Sequence, residues 1–134
     1  MEGYEKELLE AKPRLELKGK TLEDANKEQA SWRYYYDARK SELSVLVEHF
    51  EKQVARVRAR LFKGLEKYPR DLSDRAKDKY IDQEADYLDM YNILLEVREM
   101  YTKYSALVSA FEARGWALRN VTEIHIHNIR ENTL

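Results

Sequence analysis

One stretch of this chain holds residue types suited to gripping a polyanion. Between positions 52 and 70 stand seven cations, Lys52, Arg56, Arg58, Arg60, Lys63, Lys67 and Arg70, against one anion, Glu66. A cation placed beside a phosphate releases condensed counterions, which adds affinity for nucleic acid without preference for sequence. At helical spacing Lys52, Arg56, Arg60, Lys63 and Lys67 fall on one face, at steps of three or four. Arg58 points elsewhere, about 200° round the helix from Arg56. An anionic membrane is the rival ligand for such a segment, but no clean apolar face accompanies it.

The other chemical candidates are weaker. Gly19-Lys20-Thr21 before a helix is similar to the end of a phosphate-binding loop, but that pattern needs a glycine at position 14, where Arg14 stands. Glu123, His125 and His127 would share one face of a strand and could hold zinc. On a helix they spread over about 200° and could not. With no fourth ligand nearby they read as a polar edge. The chain has no cysteine, which excludes disulfides and thiolate sites and suggests a reducing compartment. His49 follows Glu48 without further partners, no serine or threonine sits in a nucleophile motif, and no Glu-x-x-His pair appears. Asp82, Glu84, Asp86 and Asp89 scatter round a helix axis and read as a solvated surface. No catalytic residue, metal or cofactor is expected, and the chain is not expected to be an enzyme. Trp32-Arg33-Tyr34-Tyr35-Tyr36 is read as packing for Trp32, Tyr35 and Tyr36, with Tyr34 pointing outward. The alternative is a stacking platform for unpaired bases.

The elements that must position these residues are helices. In 134 residues there are only four glycines and two prolines, and 37% of the chain is charged. That is one domain's length, with too few turn formers for an all-β fold. The net charge of −1 hides a cationic segment between acidic flanks. No apolar run approaches the ~18 residues of a membrane span, and Met-Glu-Gly-Tyr-Glu is no signal peptide, so a soluble, intracellular protein is expected. Residues 1–20 form an N-terminal segment, with a helical stretch from Tyr4 to Lys12 stopped by Pro13 and an extended piece after it. Thr21 caps a long helix over 21–65, whose ladder runs Leu22, Ala25, Gln29, Trp32, Tyr36, Arg39, Leu43, Leu46, Phe50, Val54, Val57, Leu61. Residues 66–73 are a connector around Tyr68-Pro69-Arg70. Ser73 caps a second helix with the ladder Tyr80, Ile81, Glu84, Leu88, Tyr91, Leu95, Arg98, Tyr101, Ser105, Val108, Phe111, and Gly115 stops it. The tail 116–134 is read as a short helix, although Thr122, Ile124 and Ile126 also alternate like a strand. The expected fold is all-α: two long antiparallel helices with short flanking helices. A helix of about 43 residues would be about 65 Å long. It needs partners along its length, so a homo-oligomer held by coiled-coil packing is expected, with 74–134 as the assembly region.

Three short motifs carry a resemblance. Val57-Arg58-Ala59-Arg60-Leu61 resembles the Lys-Ala-Arg-Leu motif of the UvsY family, the recombination mediators of tailed phages. Arg114-Gly115-Trp116-Ala117-Leu118 is similar to that family's Arg-Gly-aromatic-Ala-aliphatic stretch, and Tyr91-Asn92-Ile93-Leu94-Leu95 to its aromatic followed by Gly-Ile-Leu-Leu. The order and spacing of the motifs agree nearly without gaps over most of residues 20–128. The resemblance implies a noncatalytic, all-α protein that forms a ring-like homo-oligomer, a hexamer or heptamer. Such a protein binds single-stranded DNA, remodels the single-strand DNA-binding protein and loads the phage recombinase, in the cytoplasm of the infected bacterial host. It implies DNA contact for Arg58 and Arg60, the first being arginine where the family has lysine, and packing for Trp32 and Tyr35. The runner-up is a noncatalytic coiled-coil structural or adaptor protein that binds only protein partners.

Overall fold

A computed structural model describes residues 1–67 and 72–132. The Tyr68-Pro69-Arg70 part of the predicted connector lies outside them. The described chain is all-helical: α1 (Glu2–Leu15), α2 (Leu22–Leu65), α3 (Asp74–Ile81) and α4 (Ala85–Asn132). Its packing divides into two compact units, Met1–Ser41 with Thr102–Leu134, and Glu42–Tyr101. Both long helices contribute to both units.

In the first unit, α1 packs with the start of α2 and the end of α4. Asn26 bonds Thr122 and Arg33 bonds Glu112, so these two stretches run antiparallel. The core is aromatic. Tyr36 is fully buried, stacks on Phe111 with centroids 5.1 Å apart and meets Tyr104 at 6.3 Å. Tyr4 meets Tyr104 edge-on. A polar knot ties α1 down: the Glu7 carboxylate accepts hydrogen bonds from Tyr35 Oη, from Tyr104 Oη at 2.9 Å and from Arg39 Nε at 2.9 Å. Burial opposes ionisation of Glu7, but those three donors outweigh it and hold the carboxyl below its ordinary value. Burial, then the Glu7 carboxylate, push the Tyr104 phenol above its ordinary range.

Local chemistry explains the boundaries here. The predicted stop at Pro13 is a correction: α1 runs to Leu15 with Pro13 inside its last turn. The chain then turns through Gly19, whose φ of +79° is the left-handed region that only glycine enters freely. Thr21 caps α2 as expected, its Oγ1 accepting from Asp24 N at 3.1 Å. The predicted stop at Gly115 is a second correction. α4 passes straight through it, and the tail is helix to Asn132. Gly115 is needed for close approach instead: a Cβ there would lie 2.9 Å from Gln29 Nε2.

In the second unit, α2 and α4 again run antiparallel, with Arg98 bonded to Glu51 and Arg60 to Asp86. Leu43, Leu65, Ile81, Leu94, Val97 and Met100 are buried. Ser73 caps α3, its Oγ accepting from Ala76 N at 3.2 Å. The predicted second helix is interrupted at 82–84, where Gln83 and Glu84 N–H groups bond back to Tyr80 and Ile81. The predicted ladder in α4 is also displaced. Leu88 and Leu95 are 41% and 44% exposed, while Leu94, Val97, Met100 and Tyr104 are at most 3% exposed. The stripe lies one residue from the predicted register along this stretch because apolar neighbours, Leu94-Leu95 and Met100-Tyr101, let two ladders be drawn. The wrong one ran through the charged Arg98.

Candidate nucleic-acid interface

The cationic residues occupy the C-terminal part of α2, inside the second unit. α2 continues through Gly64 to Leu65, and its last turn tightens: Glu66 N bonds Lys63 O and Lys67 N bonds Gly64 O. Helical geometry therefore holds for Lys52, Arg56, Arg60 and Lys63 and carries on nearly to Lys67. About 10 Å of helix separates Arg56 from Lys63, close to one Debye length at physiological salt. Their fields overlap.

The six predicted site residues divide into two classes. Arg56, Lys63 and Lys67 are exposed and make no ion pair among the described residues. Lys52 is exposed too and keeps only a same-helix pair with Glu48, 3.4 Å away and one turn back, the weak kind that two neighbours on one helix face make. Arg58 and Arg60 are engaged. Arg58 Nη2 donates to Asp78 at 3.0 Å and its Nη1 to Asp82 at 3.1 Å. Its guanidinium also lies 5.3 Å from the centre of the Tyr87 ring. The hydrogen bonds to Asp82 and Asp78 raise its pKa. Arg60 Nη2 donates to Asp86 at 3.1 Å. Beside the free cations runs a shallow open groove lined by Ala55, Arg58, Ala59, Phe62, Lys63 and Glu66, and the Lys77 ammonium stands 4.8 Å from the Phe62 ring centre.

The carboxylates that meet the arginines are Asp78, Asp82 and Asp86, whereas density along the sequence groups Asp82, Glu84, Asp86 and Asp89 as a solvated surface and passes over Asp78. The usable signal is spacing. Asp78, Asp82 and Asp86 recur every four residues, and a chain that doubles back after α2 brings that row against Arg58 and Arg60.

Elsewhere the packing reading of the aromatic run holds for two of its three members: Tyr36 is buried, and half-buried Trp32 is capped by the Arg14 guanidinium at 4.0 Å. Tyr35 is a correction: it is 38% exposed, its ring edge against Tyr36 and its hydroxyl donating to Glu7, while Tyr34 points outward as expected, 79% exposed. Lys20 of the Gly19-Lys20-Thr21 stretch bonds Glu28 at 3.1 Å. Glu123, His125 and His127 lie on α4 rather than on a strand, and His127 pairs with Glu131 one turn on. Among the described residues no group of histidines and carboxylates could hold a metal ion, and no helix is long and apolar enough to cross a membrane.

Family models, curated proteins and solved structures were all compared with the chain, and none matches it. The cationic end of α2 thus stands on its own chemistry. It offers exposed positive charge on a rigid helix, with apolar surface alongside.

Proposed function

We propose that this protein binds single-stranded DNA through the C-terminal part of α2 and acts as a recombination mediator. In this role it loads a phage recombinase onto strands covered by single-strand DNA-binding protein, in the cytoplasm of the bacterial host. The observation that carries the DNA reading is the free charge of Arg56, Lys63 and Lys67, exposed and unpaired among the described residues. The mediator role rests on the three motifs that resemble the UvsY family. Evolution toward simple solubility would scatter both signs over this surface, as it does elsewhere in the chain, rather than leave one anion among seven cations.

A single such patch binds weakly at physiological salt. A ring of subunits places many patches along one strand and multiplies their effective concentration. Self-assembly is supported by apolar side chains on the last turns of α4: Trp116, Ile124 and Ile129 are 64%, 61% and 50% exposed. The same residues, with the internal pairing of Arg58 and Arg60, favour the second reading, an adaptor that binds only protein.

Fluorescence anisotropy with labelled oligo-dT and with a duplex of equal length, at two salt concentrations, separates the two readings. The mediator reading expects retention of the single strand in preference to the duplex, weakening steeply with salt. Light scattering in the same buffers expects an oligomer. A protein that assembles but ignores both oligonucleotides is the adaptor.

A further inference from the structure

Arg58 and Arg60 hold in this chain what a nucleic acid would give them. A guanidinium closes its fork on two anionic oxygens whether they belong to carboxylates or to a phosphate. Arg58 has that fork closed on Asp78 and Asp82, at 3.0 and 3.1 Å, and Arg60 reaches Asp86 at 3.1 Å. The three aspartates step by four residues along α3, the break after it and the first turn of α4. We propose that Asp78, Asp82 and Asp86 are a built-in phosphate mimic, which occupies Arg58 and Arg60 until a single strand exchanges for it. The inference rests on the DNA-binding reading above and adds its regulation.

The physical consequence is that these arginines bind by exchange rather than by addition. A free cation that meets a phosphate releases counterions outright. When a strand takes Arg58, the two freed carboxylates draw cations back from solution, and the net release shrinks. Affinity is held down and its salt dependence is shallower than a count of cations suggests. The exchange requires no unfolding, because the side chains of Asp78, Asp82 and Asp86 are 53%, 57% and 66% exposed. Arg56, Lys63 and Lys67 supply the first hold, and the clasped arginines add a grip that the chain can take back when the strand must pass to another protein.

The test uses the full chain, labelled oligo-dT and a charge-matched control. Asp78→Asn with Asp82→Asn removes two negative charges at the fork. Asp89→Asn with Glu96→Gln removes two from exposed positions of α4 that make no ion pair among the described residues. The fork variant is expected to bind about fivefold tighter than the control at low salt, the scale of an exposed pair's coupling. Its plot of log affinity against log salt should steepen by about 0.7, one cation's worth on a single strand. Arg58→Ala should cost more affinity in the Asn background than in the native one. Asp86→Asn, acting through Arg60, should repeat the gain on the other pair, and circular dichroism verifies native helicity in each variant. A gain no larger than the control's, or an Arg58→Ala cost equal in both backgrounds, overturns the mimic and leaves the DNA-binding reading standing. A native chain that does not bind oligo-dT at all removes both.

Discussion

Replacing Arg56, Lys63 and Lys67 together with alanine is the sharpest perturbation of the proposed interface. None of the three makes an ion pair among the described residues and all are exposed, so their loss breaks no ion pair there and opens no cavity. Helix content should hold, since two of them lie within α2 and alanine is at least as good a helix former as either residue it replaces. The binding effect follows from counterion release. Each cation on a single strand contributes about −0.7 to the slope of log affinity against log salt, so three contribute about −2.1. Between about 50 and 200 mM salt, a slope of that size amounts to roughly an 18-fold change in affinity. The triple variant should lose that sensitivity, and at the lower salt should bind labelled oligo-dT more than tenfold more weakly than the native chain. Anisotropy titrations over four or five salt concentrations give the slope directly, and light scattering at each point shows that the assembly is unchanged. A variant whose slope stays within about 0.5 of the native value would refute the claim that these three side chains touch phosphate.

The sequence makes α2 legible because one stripe of three- and four-residue steps runs unbroken from Leu22 to Leu61, and every member of it is buried or half-buried. Apolar neighbours that fall off that stripe, Tyr34 and Val45, are exposed. Thr21 and Ser73 announced their helices because an N-cap is a local device, one side chain closing on a backbone N–H three residues away. α4 was harder because Leu94-Leu95 and Met100-Tyr101 put apolar groups on adjacent faces. The choice between them is made by what packs opposite, and spacing along one helix cannot see it. The break at 82–84 has no glycine or proline to mark it. Gly115 looked like a stop because glycine usually ends helices. Its actual role, room for Gln29, is set by a residue 86 positions away. The candidate site was legible as a charge cluster but not as a circuit. Composition counts Arg58 and Arg60 with the other cations, and only the fold-back of α3 and α4 shows that they are already occupied.

Three further predictions test the first unit. Tyr36→Ala should cost about 3–5 kcal/mol in urea denaturation, because it removes a fully buried ring stacked on Phe111. Tyr34→Ala should fall within about 0.5 kcal/mol of native, and equal costs for the two would contradict the packing of this aromatic run. Glu7 is held ionised below its ordinary value of 4.5, so its stabilising contribution is complete above that pH and disappears as pH falls through the lowered folded value. Glu7→Gln should lose about 1–3 kcal/mol at neutral pH and show a flatter decline of stability between about pH 5 and 3, and a native-like acid limb in that variant would exclude Glu7 as the titrating group. Gly115→Ala decides whether the Gln29 clasp matters. Helix propensity alone favours alanine by about 1 kcal/mol. Against it, the new Cβ would stand 2.9 Å from Gln29 Nε2, and Gln29 cannot move freely. Its Nε2 donates to Phe111 O at 2.5 Å, and its Oε1 accepts from Arg114 Nη1 at 2.6 Å. The Arg114 side chain is 4% exposed, and its Nε and Nη2 have no hydrogen-bond partner among the described residues. Burial lowers its pKa accordingly. Displacing Gln29 takes away the one hydrogen-bond acceptor this buried guanidinium has among the described residues and leaves it only the Glu28 carboxylate at 4.0 Å, a loss on the order of 1.5–3 kcal/mol that exceeds the propensity gain. Thermal melts should therefore show Gly115→Ala less stable than native by roughly 3–8 °C. In a Gln29→Ala background the sign should reverse, since the clash and the clasp are gone and the propensity remains. A Gly115→Ala variant that melts above the native chain would show that Arg114 gains nothing from Gln29.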